Sequence, residues 1–374
     1  MKILLDALQA GNRSGTGRYT EELLKGLPSV DERLELFPFV PSNLDRSILS
    51  VDAEKSILVD TDRLLGGSRY RDKLVLKDIK RIAPDIVHYT ATIGSQAKRR
   101  KWDTSKVVVT VHDLAFLRNP EWFKKDRAVY YKKKIKKTVE YADRIIADSC
   151  ATADDLMLFL EVSEDIIDVV PLGVDEQYKP VEESDERRVR EKYNLPDEFF
   201  LYVGTIEPRK NIEGIVEAFS SIASKVPHDL VIAGRDGWKV KPIRKAIKKS
   251  AVSDRIHLPG FIGQEDLPAL LSCAHAFVWP SLWEGFGLPP LEAMACGTPV
   301  LTSDMSSLPE VVGRAAISVD PFDIDLIARG MLTLATDESV CKGLRNSGFN
   351  RASKFPWDLC VKMTYDVYER ALNV

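Results

Sequence analysis

The chain has 374 residues, a formal net charge of −3, 44% hydrophobic and 29% charged residues. That length sets an expectation of two domains, and the composition excludes a disordered, fibrous or disulfide-scaffolded protein. The small net charge excludes a whole-molecule attraction to nucleic acid, and five cysteines without a C-x-x-C pair exclude a zinc ribbon and point to a reducing compartment. The amino-terminal apolar run breaks at Asp6, too early for a signal peptide, and no apolar stretch reaches the length of a membrane span. A cytoplasmic location is the expectation.

In chain order, short apolar runs predict strands at 2–8, 34–40, 56–59, 85–89, 106–111, 144–147 and 168–170. Helical patterns fall between them at about 16–27, 69–82, 122–142 and 150–160. Runs such as Val107-Val-Val-Thr-Val111 fit strands of a parallel sheet covered on both faces. The turn-rich stretch 171–180 and the charged stretch 181–190 read as a linker. A second series follows at 199–203, 229–233, 255–258, 274–279, 299–302 and 316–319, again with helices between. A last helix, about 357–371, follows the break at Phe355-Pro356. The alternation predicts an α/β fold of two doubly wound parallel sheets, with ligands at the carboxyl ends of the strands.

The segment Pro280-Ser-Leu-Trp-Glu-Gly-Phe-Gly-Leu-Pro-Pro-Leu-Glu292 is the most informative. A strand ends at Pro280, two glycines follow, and two prolines start a helix where a missing N–H costs nothing. The amides of Phe286, Gly287 and Leu288 are expected at that helix start, an anion site suited to a diphosphate. Glu284 in the loop and Glu292 in the first turn would repel phosphate, so hydroxyls are their expected partners. A dipole-complementing Glu292 and a solvated Glu284 are the alternative. Leu201-Tyr-Val-Gly-Thr-Ile-Glu-Pro-Arg-Lys-Asn211 reads as strand, turn and a helix start capped near Asn211. It places Arg209 and Lys210 at a strand's carboxyl end, as phosphate ligands or as a solvated turn.

Ser14-Gly-Thr-Gly-Arg18 reads as a close-approach loop through Gly15 and Gly17, without the third glycine of a dinucleotide site. His112, with Asp113 after strand 106–111, is placed to orient or accept from a sugar hydroxyl, or to serve the structure. His88 ends a neighbouring strand, while His228, His257 and His275 have no partner pattern. No metal-ligand spacing is present, so no metal is expected. The stretch 124–144 carries nine Lys or Arg against three Asp or Glu. Tyr131, Ile135, Val139 and Ala142 form its core-facing stripe. The basic remainder is either a membrane-facing surface or a solvated helix face.

Together these motifs resemble the retaining family-4 glycosyltransferases of the GT-B fold. Glu284-Gly-Phe-Gly-Leu-Pro-Pro-Leu-Glu292 is similar to their Glu-x(7)-Glu motif, and Gly204-Thr-Ile-Glu-Pro-Arg-Lys-Asn211 to their phosphate-binding turn. Val111-His-Asp-Leu114, Ser14–Arg18 and the closing helix follow in the family's order. The resemblance implies two Rossmann-like domains facing across a cleft. The acceptor domain would be 1–172 with about 357–374 crossing back, and the nucleotide-sugar donor domain 173–356. It implies that Arg209 and Lys210 bind the donor diphosphate, with the Gly15–Gly17 loop against it. Glu292 would take the ribose hydroxyls, Glu284 the donor sugar, and His112 would lie beside the reacting sugar. Many relatives carry Arg where this chain has Thr205, which shifts phosphate neutralisation onto Arg209 and Lys210. The resemblance further implies front-face transfer with retained configuration and no cofactor. GDP-mannose is the first donor expected, UDP-glucose the next, and a glycan or lipid-linked acceptor would suit the basic helix. The rival expectations are a non-catalytic nucleotide-sugar binder and a phosphorylase or epimerase of the same architecture.

Overall fold

A computed structural model describes residues 1–12, 14–45, 55–60, 68–92 and 103–373. The chain divides into two compact units. One comprises Met1–Pro120, Lys125–Gly173 and Trp357–Val374, the other Glu121–Lys124 and Val174–Pro356.

The first unit contains a sheet of β1 (Lys2–Asp6), β2 (Glu35–Pro41), β3 (Ile57–Val59), β4 (Ile86–Tyr89), β5 (Lys106–Val111), β6 (Arg144–Ala147) and β7 (Ile167–Val169). Its spatial order is β3-β2-β1-β4-β5-β6-β7, with every pair parallel. Helices Gly15–Val30, Ser68–Ile82, Lys125–Glu140 and Cys150–Leu160 lie between these strands in sequence, and Trp357–Leu372 packs beside Gly15–Val30. β-Branched residues dominate β5, where Val107, Val108, Val109 and Val111 are all buried, as a strand covered on both faces requires.

The second unit repeats the plan with β8 (Phe199–Val203), β9 (Asp229–Ala233), β10 (Ile256–Gly260), β11 (Ala276–Trp279), β12 (Val300–Ser303) and β13 (Ile317–Val319). The order β10-β9-β8-β11-β12-β13 is again wholly parallel. Strand order therefore reverses between β1 and β4 in one sheet and between β8 and β11 in the other. Doubly wound sheets bind ligands at such switch points, outside the carboxyl ends of the strands.

The charged stretch expected as linker is in large part a helix, Glu183–Tyr193. Glu183, Asp185 and Glu186 occupy its first turn and Arg190 and Lys192 its last, which suits the helix dipole at both ends. Val189 is its one buried residue. Fully buried Asp266 accepts from Arg188 and Lys192, each at 2.6 Å, and from Tyr193 Oη at 2.7 Å. Burial favours the protonated acid, yet these three donors hold the Asp266 pKa at about 2. The charge signals a docked helix because its partner lies far off in sequence.

Candidate active site

In the second unit, the segments leaving β8 and β11 meet at the switch point. After β8 the chain turns through Glu207 into a short 3-10 turn, Pro208–Lys210. After β11 it runs through 280–287 into the helix Leu288–Ala295. Leu282 N–H donates to Arg209 O at 2.9 Å, and Arg209 Nη1 donates to Trp283 O at 2.7 Å. Asn211 sits before the next helix at φ +55 but forms no side-chain cap, contrary to expectation. Its amide instead donates to Pro280 O at 3.1 Å and Pro321 O at 2.7 Å, joining three loops.

Glu284 lies at the centre of this arrangement and is buried. Its Oε1 accepts from Lys210 Nζ at 2.6 Å and from Ser281 Oγ at 2.5 Å, and its Oε2 accepts from Arg209 Nη1 at 2.8 Å. Arg209 also pairs with Glu207 at 3.0 Å. Burial alone would raise the Glu284 carboxyl, but Arg209 and then Lys210 outweigh it and hold the pKa at about 2. Burial and then Arg209 push the Lys210 ammonium below its ordinary value, against Glu284 and Glu207. The Lys210 ammonium also stands 4.6 Å from the Trp279 ring centre, and that ring stacks on Tyr202 at 4.9 Å. Two carboxylates thus balance the two cations expected to face a phosphate. Three contacts occupy Glu284, and a carboxylate offers about four acceptor positions. One acceptor position remains, on Oε2.

Helix Leu288–Ala295 begins after Gly287 at φ +116, where a Cβ would lie 2.7 Å from Leu308 Cδ2. Only glycine fits such a turn. Pro289 and Pro290 fall within its first turn, where absent N–H groups break no ladder. The helix has no acid in its first turn: Glu292 lies in the second, one turn farther along than expected, and is half-buried. Phe286, Gly287 and Leu288 directly follow the Glu284 cluster. Thr205 is exposed on the neighbouring turn.

In the first unit, Gly15 and Gly17 belong to the first turn of helix Gly15–Val30, not to a loop, with Ser14 as N-cap accepting from Gly17 N–H. A Cβ on Gly17 would meet Asn12 O at 1.8 Å, so the glycine permits that close passage. His112 follows β5 and is held on both sides: Nδ1 lies 2.7 Å from Asp148 Oδ2 and Nε2 3.0 Å from Thr90 O. A carbonyl only accepts, so Nε2 carries a proton, and a carboxylate at Nδ1 calls for a second. Acceptance of a sugar hydroxyl by this ring is therefore not available. His88, within β4, is fully buried and bonded to Tyr368 Oη at 2.7 Å and Thr110 Oγ1 at 2.8 Å. Burial lowers its pKa to about 3, which marks a neutral structural histidine.

Along helix Lys125–Glu140 the buried residues are Ala128, Ile135 and Thr138, while Tyr131 and Val139 are half-buried. Ala142 lies beyond the helix end. Among the described residues, no three His, Cys, Asp or Glu are grouped to hold a metal, and no helix is long and apolar enough to cross a membrane.

Sequence reasoning missed Asp148, Ser281, Ser306 and Ser307. Asp148 directly follows β6, and a strand's carboxyl end was the available signal. For the three serines the sequence holds none.

Two doubly wound parallel sheets, with cations, carboxylates and a helix start at one switch point, are the architecture of a GT-B glycosyltransferase. Residues 13–178 match the family described as Glycosyltransferase Family 4, and residues 183–351 match Glycosyl transferases group 1. The chain is 30% identical to O-antigen chain mannosyltransferase B of Escherichia coli, across 95% of this chain and 96% of that one. It therefore belongs to the family-4 glycosyltransferases. Serotype-specific mannosyltransferase WbdA of Escherichia coli is 33% identical over 79% of this chain, which spans 38% of that protein. Among solved structures, sucrose-phosphate synthase of Thermosynechococcus elongatus superposes with a TM-score of 0.81 at 21% identity, covering 99% and 98% of the two chains. Anabaena HepE with UDP and glucose superposes with a TM-score of 0.73 at 18% identity, over all of both chains.

Proposed function

We propose that the chain is a retaining mannosyltransferase that moves mannose from GDP-mannose to a glycan or lipid-linked acceptor without a metal. The observation that carries this reading is the end-to-end similarity to an enzyme named as an O-antigen chain mannosyltransferase. Breaking the sugar–diphosphate bond places negative charge on the leaving phosphate. Arg209, Lys210 and the amides of Phe286, Gly287 and Leu288 stabilise that charge where it develops. Glu292 takes the ribose hydroxyls. Glu284 offers its remaining acceptor position to a donor-sugar hydroxyl. On the first unit, His112, fixed by Asp148 and Thr90, is offered to the reacting sugar and the Gly15–Gly17 turn to the diphosphate. Attack comes from the face of the departing diphosphate, which takes the acceptor's proton, so no enzyme nucleophile is required.

The acceptor reading extends to an anionic lipid surface. On helix Lys125–Glu140, Val129 is 68% and Tyr130 51% exposed, amid exposed Lys132, Lys133, Lys136 and Lys137. Cations around apolar side chains suit a headgroup boundary.

Thermal shift against GDP, UDP and ADP tests the base, since ligand at a hundredfold excess over Kd stabilises by about 2.7 kcal/mol. Proton NMR of the product's anomeric centre, in the presence of a chelator, tests retention and metal independence. GDP without effect, an inverted product, or activity lost to the chelator each overturns the corresponding part.

A further inference from the structure

Ser307 immediately precedes the helix Leu308–Val312, where a serine ordinarily caps its own helix by accepting from an early amide. It does not do so. Its backbone is helical, at φ −76 and ψ −14, and no side-chain cap forms. The fully buried hydroxyl lies instead 3.0 Å from Glu284 O and 2.6 Å from Phe286 O, its one proton shared between two carbonyls of the loop after β11. Ser306 meets the same loop, its Oγ accepting Glu284 N–H at 3.0 Å. Ser306 holds φ +56, a left-handed conformation that is strained for a non-glycine residue. Leu308 then closes on Gly287. Three consecutive residues are thus shaped to the loop, and strained backbone persists where its surroundings over-determine it.

In a trans peptide, one residue's C=O and the next residue's N–H point in opposite directions. Drawing the Phe286 carbonyl onto Ser307 therefore turns the Gly287 N–H to the other side of the loop. Leu288 N–H follows as the first amide of helix Leu288–Ala295. These amides belong to the diphosphate cradle of the proposed donor site, on which this inference rests. We propose that Ser307 is a positioning residue for the donor diphosphate: it touches no substrate but fixes the peptide whose N–H does, with Ser306 anchoring the loop's entry. Without the hydroxyl, the 286–287 peptide loses the bond that sets its orientation.

The test compares GMP and GDP binding by calorimetric titration, because the gain from the second phosphate reports on the cradle. Ser307→Ala is expected to weaken GDP about tenfold, the worth of one hydrogen bond, and to leave GMP nearly unchanged. Thr302→Val serves as the control. It removes another buried hydroxyl, bonded to Trp279 O at 3.0 Å, and is expected to lower thermal stability while keeping the GDP-to-GMP ratio. Ser307→Cys, close in shape and a weaker donor, should show a smaller loss of the same kind and replaces Ser307→Ala if that variant does not fold. An unchanged ratio in the Ser307 variants, or an equal loss in Thr302→Val, overturns the proposal. A wild type that prefers neither GDP to GMP nor UDP to UMP overturns the donor-site reading instead.

Discussion

Lys210 Nζ lies 2.6 Å from Glu284 Oε1, joining residues 74 apart in sequence and tying the turn after β8 to the loop after β11. Both side chains are buried; without Lys210, Glu284 keeps Arg209 and Ser281, whereas without Glu284 the Lys210 ammonium keeps the Trp279 ring. Lys210→Ala removes one of three donors to Glu284 and is expected to lower stability by about 1.5–3 kcal/mol, the scale of a hydrogen bond to a charged group. It is also expected to lower kcat/KM by about 2–4 kcal/mol of transition-state stabilisation. Lys210→Ala combined with Glu284→Gln should regain part of the stability and none of the turnover. Thermal melts and steady-state kinetics of the two variants check this, and equal melting temperatures would refute the pairing argument.

The two glutamates of the motif should separate by ligand. Glu292→Gln weakens an acceptor for ribose hydroxyls, so GDP affinity should fall about tenfold or more, within the range for bonds to a charged acceptor. Glu284→Gln takes the internal counter-charge from Arg209 and Lys210. GDP affinity should then rise while sugar transfer falls. Calorimetric titration with GDP and a transfer assay measure both, and the opposite pattern would reverse the roles.

His112 and Asp148 should share their protons as an imidazolium–carboxylate pair. Burial alone would lower the His112 pKa, but Asp148 outweighs it and raises the value above the ordinary 6.5. Burial raises Asp148 as well, with His112 opposing. A raised histidine contributes its full stability below 6.5 and loses it as pH climbs through the folded value. The melting temperature should therefore decline on the alkaline side, and Asp148→Asn should flatten that decline. Nitrogen-15 spectra of the ring at pH 6.5 should show the doubly protonated form in excess. A single protonated nitrogen would refute the pair.

If helix Lys125–Glu140 meets an anionic bilayer, the protein should cosediment with phosphatidylserine vesicles at low salt and detach as salt screens the contact. Replacing Lys133, Lys136 and Lys137 with Glu should abolish sedimentation. Each cation near such a surface contributes about 1 kcal/mol, so three reversals should exceed any residual apolar contact of Val129 and Tyr130. Equal sedimentation of the two proteins, or none by the wild type, leaves a solvated face.

Strands were the legible part of the sequence, because a parallel strand covered on both faces must be apolar at every position; β5, β8 and β9 have the bounds their apolar runs predict. Residues in the segments that leave a strand's carboxyl end were legible too, which is how His112, Arg209 and Glu284 stand out. Partners across the sequence were not. Residues 181–190 look like linker because one buried Val189 leaves little periodicity and Asp266 is remote. Gly15 and Gly17 read as a loop because glycine signals turns, whereas helix Gly15–Val30 begins with them so that the backbone can pass Asn12. Ser307 carries no signal of its own in the sequence, and only the fold shows its hydroxyl given to another loop.

His228 offers a stability test away from the site. The residue is 3% exposed, and neither ring nitrogen has a hydrogen-bond partner among the described residues. It packs against His275, with ring centres 4.1 Å apart, and against Phe200 at 5.1 Å. The Glu198 carboxylate stands 3.9 Å off and is largely exposed. Burial, then His275 and Arg255, hold the pKa at about 4 against the pull of Glu198. A depressed histidine binds its proton more readily in the unfolded chain. Stability should therefore fall as pH drops from about 6.5 toward 4, the window between the two values. His228→Phe keeps a planar ring beside Phe200 and removes the titrating group. The variant should melt no lower than wild type at neutral pH and should lose less of its melting temperature on acidification through that window. An acid slope equal to that of the wild type would place the sensitivity elsewhere.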